Sequence, residues 1–274
     1  MDIDSNPQAE QMGDASMLRT LSHQAEAIWP QERVLFDRYA LAGDVDILDL
    51  GCGSGEITRR LAERLPRARL LGIDILEGNL AHARAANAQF ADRVRFAPGD
   101  AFALALPDAA FDLVVCRHLS QAVPDFPRVL AEIDRVLRPG GWVHLLSEDY
   151  AMLQLPHAAG GPDDFWQRTV LEYMASVGCD GRIGRHTPPL VRALGYQDLR
   201  VDFVVVDTER VPRATFAAIL RAWGDGFSEV LAQASGQPVA PVRARFEAMA
   251  AAVAAPGSYA VWQVPVISAR KPRE

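Results

Sequence analysis

DILDLGCGSGEIT, residues 46–58, sets an apolar run against three glycines at alternate positions, Gly51, Gly53 and Gly55, and then passes into a helical pattern. A strand that ends in Gly-x-Gly and feeds a helix leaves backbone N–H groups and the positive end of the helix facing whatever lies beyond the turn. Glycine is needed where a side chain would block that approach. The dinucleotide fingerprint asks for G-x-G-x-x-G. Here Glu56 follows Gly55, so the third glycine comes one position early and a nicotinamide enzyme is disfavoured. A tight strand-to-helix turn with no ligand is the alternative that this stretch alone leaves open.

Outward from the turn, the text alternates between apolar runs and helical periods. It predicts strands at 45–50, 69–74, 94–97, 112–116 and 141–147, with helices at 56–65, 77–89 and 126–137. Strands that are apolar throughout and separated by helices argue for a parallel sheet covered on both faces. Ahead of the first strand, residues 15–40 carry Leu18, Leu21, Ala25 and Ile28 on one helical face, and Pro30 predicts a break into two short helices. After residue 150 come a Gly/Pro-rich loop at 157–162, helical stretches at 163–177 and 189–194, and a sixth strand at 199–206. A helical segment at 212–255 precedes a last strand at 259–269, expected antiparallel beside the sixth. The expected fold is α/β, a doubly wound seven-stranded sheet with helical covers at 14–40, 151–186 and 212–255, and with 14–274 as one domain behind a flexible stretch at 1–13.

Composition narrows the function. At 274 residues and 49% hydrophobic the chain can bury a large core. A net charge of −7 without a Lys/Arg block argues against nucleic acid as partner. The three cysteines, Cys52, Cys116 and Cys179, lack metal-ligand spacing and read as reduced thiols, so no metal is expected. Residues 1–13 lack the basic start and apolar stretch of an export signal, and no run approaches a membrane span. The expectation is a cytoplasmic protein with no membrane partner.

Two acids give the glycine turn a ligand. Asp74 ends the second strand in LLGIDI, where a carboxylate can accept both hydroxyls of a ribose, and Asp100, in PGDA after the third strand, can accept from the exocyclic amine of adenine. A glycine turn and two acids at one edge of a parallel sheet form the arrangement expected of an adenosine site.

On Asp49-Leu-Gly-Cys-Gly-Ser-Gly55, Asp74, Gly99-Asp100-Ala101, FDLVVCRHLSQAVPD (111–125) and VLRPGG (136–141), the chain resembles the class I S-adenosylmethionine-dependent methyltransferases, most of all the bacterial small-molecule type. The resemblance spans about residues 45–147. It implies S-adenosylmethionine as cofactor, with Gly51, Cys52, Gly53 and Gly55 beside its methionine part and Asp49 supporting that turn or the amino group. It further implies that Asp74 and Ile75 hold ribose, that Asp100 and Ala101 read adenine, and that Arg117 lies beside the sulfonium with His118 facing substrate.

Methyl transfer needs no obligatory catalytic side chain, because positioning and water exclusion can carry most of the rate. A base is required only for an acceptor that arrives protonated. His118 and Tyr150 are the candidates for catalysis. Glu148 and Asp149 in SEDY, Trp166 in the cover, and Arg185 and His186 in GRIGRHTPP are candidates for substrate binding, and Trp29 with His23 for closure from the amino-terminal helices. Phe216, Leu220 and Trp223 fit either a lid over an apolar substrate or a homodimer surface. Secondary metabolism is a natural setting for such an enzyme. Two other readings stay open: a non-methylating enzyme that uses the same cofactor, such as a cyclase or lyase, and a non-catalytic binder of it.

Overall fold

The computed structural model describes residues 15–156 and 165–273. The expected flexible stretch 1–13, the Gly/Pro-rich loop 157–162 and the start of the helix at 163 lie outside the described residues.

An eight-stranded sheet organises the chain. Its strands are β1 (Asp46–Leu50), β2 (Arg69–Asp74), β3 (Val94–Pro98), β4 (Phe111–Arg117), β5 (Leu137–Leu146), β6 (Leu153–Gln154), β7 (Gln197–Asp207) and β8 (Val261–Arg270). The order is β3-β2-β1-β4-β5-β8-β6, and β7 pairs with the other edge of β8. Strands β1 to β5 are parallel, whereas β8 runs antiparallel to β5, β6 and β7. The last strand thus lies beside the strand at 197–207, as expected, and also fills the space between it and β5. The eighth strand is the two-residue β6, which extends the β5 side of β8 and is too short to leave a period in the sequence.

Alternate residues of the central strands feed two cores, as the period of 2 requires. Ile47, Leu113 and Val115 point to one side with Ile57 and Leu61 of helix α2 (Glu56–Arg64). Leu48, Leu50, Val114 and Cys116 point to the other with Val129, Leu130 and Ile133 of helix α4 (Phe126–Val136). Helix α4 starts at Asp125, whose side chain accepts from the Arg128 N–H, satisfying one of the amides that a helix start leaves unpaired. Helix α3 (Glu77–Ala86) joins β2 to β3.

The covers differ from expectation in three places. Helix α1 (Ala15–Glu32) runs through Pro30 instead of breaking there, then tightens into a 3-10 stretch over Arg33–Tyr39. Pro30 removes a single ladder bond near the helix end, while buried Ile28, Trp29 and Glu32 hold that turn to the sheet. Residues expected as a loop at 181–189 belong to helix α6 (Ile183–Ala193), whose Pro188 and Pro189 lie inside it. Ahead of it, a π-helical turn (Trp166–Val170) leads into α5 (Leu171–Ser176). The helical segment at 212–255 is a hairpin of α7 (Arg213–Ser235) and α8 (Val239–Ala254), turned at Gly236 with φ 66°.

The α7–α8 hairpin closes on a glycine. A Cβ on Gly224 would stand 2.7 Å from Cβ of Phe246, so the two backbones approach more closely than any side chain allows. Gly224→Val is expected to destabilise the fold by about 1–3 kcal/mol through overpacking. A lowered midpoint in chemical unfolding checks this; an unchanged midpoint contradicts the close approach.

Candidate functional site

The carboxyl ends of β1, β2, β3 and β4 open into a cleft of about 750 Å³, its mouth included, floored by Gly51 and Gly53 and lined by Asp74, Ile75, Asp100, Ala101, Arg117 and His118. The three glycines of the turn all adopt left-handed φ, 74°, 52° and 73°. A Cβ at Gly53 would meet Leu21 of α1 at 2.7 Å, and one at Gly55 would meet Ala83 and Asn87 of the α3 segment at 2.8 Å. Sequence and packing therefore demand glycine independently. Most of the turn's amides are engaged within the protein: Gly51 and Cys52 donate to the Ile73 carbonyl, Gly53 donates to Asp74 Oδ2 at 2.8 Å, and Gly55 donates to the Cys52 carbonyl. A phosphate would have to compete with these bonds, so the turn is a shaped wall more than an anion nest.

Asp74 ties the turn to the second strand. Its Oδ1 accepts from Leu76 N–H and its Oδ2 from Gly53 N–H, while burial raises its pKa. Asp100 Oδ1 accepts from Phe102 N–H, which turns the chain after β3 and sets the acid at the cleft. Asp49, Cys52 and Gly55 stand behind the wall and do not line the cleft. Asp49 is buried and accepts from the Thr58 hydroxyl at 2.6 Å, clamping the turn to α2.

Arg117 and His118 enter from the end of β4. The Arg117 Nε donates to Glu32 of α1 at 2.7 Å; the same Glu32 oxygen meets His144 Nε2 at 2.9 Å, and His144 Nδ1 meets the Tyr39 hydroxyl at 2.6 Å. Burial pushes the Glu32 carboxyl up, but Arg117 and His144 outweigh it and hold its pKa at about 2. Burial pushes His144 down and Tyr39 up. His118 sits at φ 55°, a conformation that costs a non-glycine residue about 1–3 kcal/mol and that clusters at functional sites. Its Nδ1 lies 2.6 Å from Glu148 Oε1, and its carbonyl accepts from Gln121. Among the described residues, Arg117 Nη2, His118 Nε2 and Glu148 Oε2 are buried polar atoms without a protein partner.

Tyr150 faces a second pocket of about 400 Å³, which Trp166, Tyr173, Trp223 and Phe246 also line. Its ring stacks on Trp166 at 5.8 Å, and burial followed by Glu148 raises its pKa well above the ordinary value.

Four of the expected substrate residues are brought to neither space. Asp149 and Arg185 pair with each other through two bonds of 2.5 and 3.0 Å, because α6 begins where a loop was expected and carries Arg185 back onto the strand end. His186 is exposed and bonded to Asp180. Trp29 packs on Phe36 under the Arg60 guanidinium, on the sheet face away from the cleft. Leu21, one turn closer to the start of α1 than Gln24, is the residue that reaches the glycine turn. Leu21, Asn79, Phe102, Leu119 and Val123 also line the cleft. The sequence marks Leu21 by its place on the apolar face of the first helix and Leu119 and Val123 only as part of the stretch 111–125, and gives no signal for Asn79 or Phe102. No group of three or more His, Cys, Asp or Glu with the geometry to hold a metal occurs among the described residues.

Residues 48–145 match the methyltransferase domain family. They form a class I, S-adenosylmethionine-dependent type of methyltransferase domain. The chain is 43% identical over 95 residues to a trans-aconitate 2-methyltransferase of Deinococcus radiodurans, covering 35% of this chain and 34% of that one. It is 37% identical over 123 residues to a demethylmenaquinone methyltransferase of Thermus thermophilus, covering 45% and 55%. The chain thus matches about a third to a half of the length of these curated relatives. Among solved structures it is similar to the cyclase SpnF, at 25% identity and a TM-score of 0.53 over 88% of this chain and 80% of that one. The matched residues hold the glycines of the turn, Asp74 and Asp100, but neither α1 nor the hairpin that closes the aromatic pocket.

Burial first of all, with Asp74 and Glu32 adding to it against Thr58 and Arg117, raises the Asp49 pKa from 3.8 to about 6. An acid whose folded pKa is raised contributes stability that is complete below about pH 3.8 and is lost as the pH climbs through 6. Asp49→Asn keeps an acceptor for Thr58 and removes that loss. Its unfolding midpoint should match the parent near pH 4 and exceed it at pH 7 by on the order of 1–3 kcal/mol. Equal differences at both pH values would contradict a raised Asp49.

Proposed function

We propose that the chain transfers a methyl group from S-adenosylmethionine to a small-molecule acceptor, with residues 14–274 working as one domain. The observation that carries this is the row of strand ends on one cleft: the glycine turn of β1, Asp74 of β2 and Asp100 of β3. The residues fit the cofactor. Glycines that admit no Cβ leave room for its methionine part, and the two acids stand where ribose hydroxyls and an adenine amine can donate to them. Arg117 Nη2 has a donor to offer along the same wall. Bound there, S-adenosylmethionine supplies a methyl carbon made electrophilic by the adjoining sulfonium.

The chain's own part is to position the acceptor, exclude water and take up a proton where the acceptor carries one. His118 is the residue we assign to that proton. With Glu148 ionised, Nδ1–H donates to its carboxylate, which leaves the Nε2 lone pair to accept. Glu148 acts as a positioning residue, holding the imidazole's tautomer and orientation. Gly184 N–H on the Glu148 carbonyl, and Tyr150 N–H on the Gly181 carbonyl, keep this strand end in place. Asp149 serves the same end through Arg185, and we do not assign it to substrate.

A non-methylating role for the same cofactor is not favoured, since the matched relatives are named as methyltransferases. Trans-aconitate, the acceptor in the name of the Deinococcus relative, is a tricarboxylate and calls for several cations. Arg117 is paired with Glu32 and Arg185 with Asp149, and among the described residues none that is charged lines the aromatic pocket. We therefore infer an uncharged or weakly charged acceptor. No described helix is long and apolar enough to cross a membrane, which accords with a cytoplasmic enzyme of small metabolites, secondary metabolism included; a homodimer is an open part of this reading.

Calorimetric titration tests the cofactor. S-adenosylmethionine and S-adenosylhomocysteine should bind with micromolar dissociation constants, and Asp74→Ala should weaken both at least about tenfold by leaving their donors unpaired. No binding to folded protein contradicts the proposal. Once an acceptor is found, Glu148→Gln should lower transfer on the order of 10²-fold, shift its pH profile and leave S-adenosylhomocysteine affinity unchanged. An unaltered pH profile would remove Glu148 and His118 from the proton's route.

A further inference from the structure

The aromatic pocket under the α7–α8 hairpin is bounded by residues of the outer core that leave space between them. Trp166, Trp223 and Phe246 meet edge to face at 5.6 and 6.2 Å, and Tyr150 stacks on Trp166. Such rings could close on one another, yet a pocket of about 400 Å³, its open mouth included, remains between them. Among the described residues its wall holds no charge, and six of its nine side chains are flat rings whose faces favour another flat ring system.

One polar atom breaks the apolar lining. Trp166 is 5% exposed, and its Nε1 has no hydrogen-bond partner among the described residues. A buried indole N–H ordinarily finds an acceptor, and leaving it without one costs free energy that an incoming oxygen would recover. The opposite end of the pocket is Tyr150, whose hydroxyl faces Glu148 and Gln121, and Glu148 in turn holds His118 on the cleft. Tyr150 therefore stands between the aromatic pocket and the proton-accepting imidazole.

We propose that this pocket is the acceptor's seat, and that it takes a flat, uncharged, ring-bearing molecule carrying an oxygen that accepts from Trp166 Nε1. Its identity as the acceptor's seat rests on the methyl-transfer reading; its binding of such a molecule does not. The sequence points to Trp166 and Trp223 separately, in two different covers. The hairpin and the π-helical turn bring them to one wall.

The test uses N-phenyl-1-naphthylamine, a neutral fluorescent ring compound, with naphthalene and 2-naphthol as competitors and the full chain saturated with S-adenosylhomocysteine. The probe should bind at one site per chain, and 2-naphthol should displace it at concentrations about five- to tenfold lower than naphthalene, the margin of one recovered hydrogen bond. Trp166→Phe should keep the probe and erase that margin. Phe227→Arg, at a half-buried position on the pocket wall, should abolish probe binding. Calorimetry with S-adenosylhomocysteine on each variant shows that the fold is intact and reports on the cofactor reading separately. No saturable binding of the probe, or binding that survives Phe227→Arg, overturns the pocket; an equal margin in Trp166→Phe overturns the oxygen contact.

Discussion

A fully buried carboxylate, Glu32, carries the arrangement of the strand ends. It is the last residue of α1, and a single oxygen of it receives both Arg117 from the end of β4 and His144 from β5. In so doing it fastens the amino-terminal helix across the sheet, and with it Leu21 over the glycine turn and Gln24 beside Glu148. The attraction works in a dry interior, where an ion pair is strong but either partner alone is costly. Arg117 is thereby held in the cleft with one guanidinium nitrogen to spare, and the same helix supplies one wall of the outer core through Ala27 and Ile28.

Two separate spaces flank the strand ends that this pair organises. One is polar and belongs to the β1, β2 and β3 termini, where glycines and acids alternate. The other is apolar and belongs to the α7–α8 hairpin and the π-helical turn. Between them run His118, Glu148 and Tyr150, a line of polar groups with strained backbone at its first member. Buried polar atoms without a protein partner among the described residues, His118 Nε2 and Glu148 Oε2, gather in that line.

The central sheet and the cofactor cleft were legible because their determinants are local. Five strands were bounded by turns, the glycines lay within five residues, and Asp74 and Asp100 each ended a short apolar run. The features that escaped are made of residues far apart in sequence. Glu32, Arg117 and His144 meet across 85 and 112 positions, and no periodicity marks a pair of that kind. Arg185 and His186 stand in GRIGRHTPP, a stretch read as lying ahead of a helix; packing of Ile183, Thr187 and Val191 starts the helix at Ile183 and turns Arg185 to Asp149. Trp29, expected as a closure, packs in the core beside Phe36 and outside the cleft, since a helix of apolar residues does not announce which face meets which neighbour. The aromatic residues of the covers were visible one by one, but their convergence depends on the turn at Gly236, which folds the long helical segment back on itself.

The most direct measurement is a crystal structure of the chain with S-adenosylhomocysteine. The account predicts the ribose hydroxyls on Asp74, the adenine beside Asp100 and Ala101, and the thioether sulfur facing His118, with the aromatic pocket left open. A ligand seated in the aromatic pocket, or one that leaves Asp74 uncontacted, would contradict it.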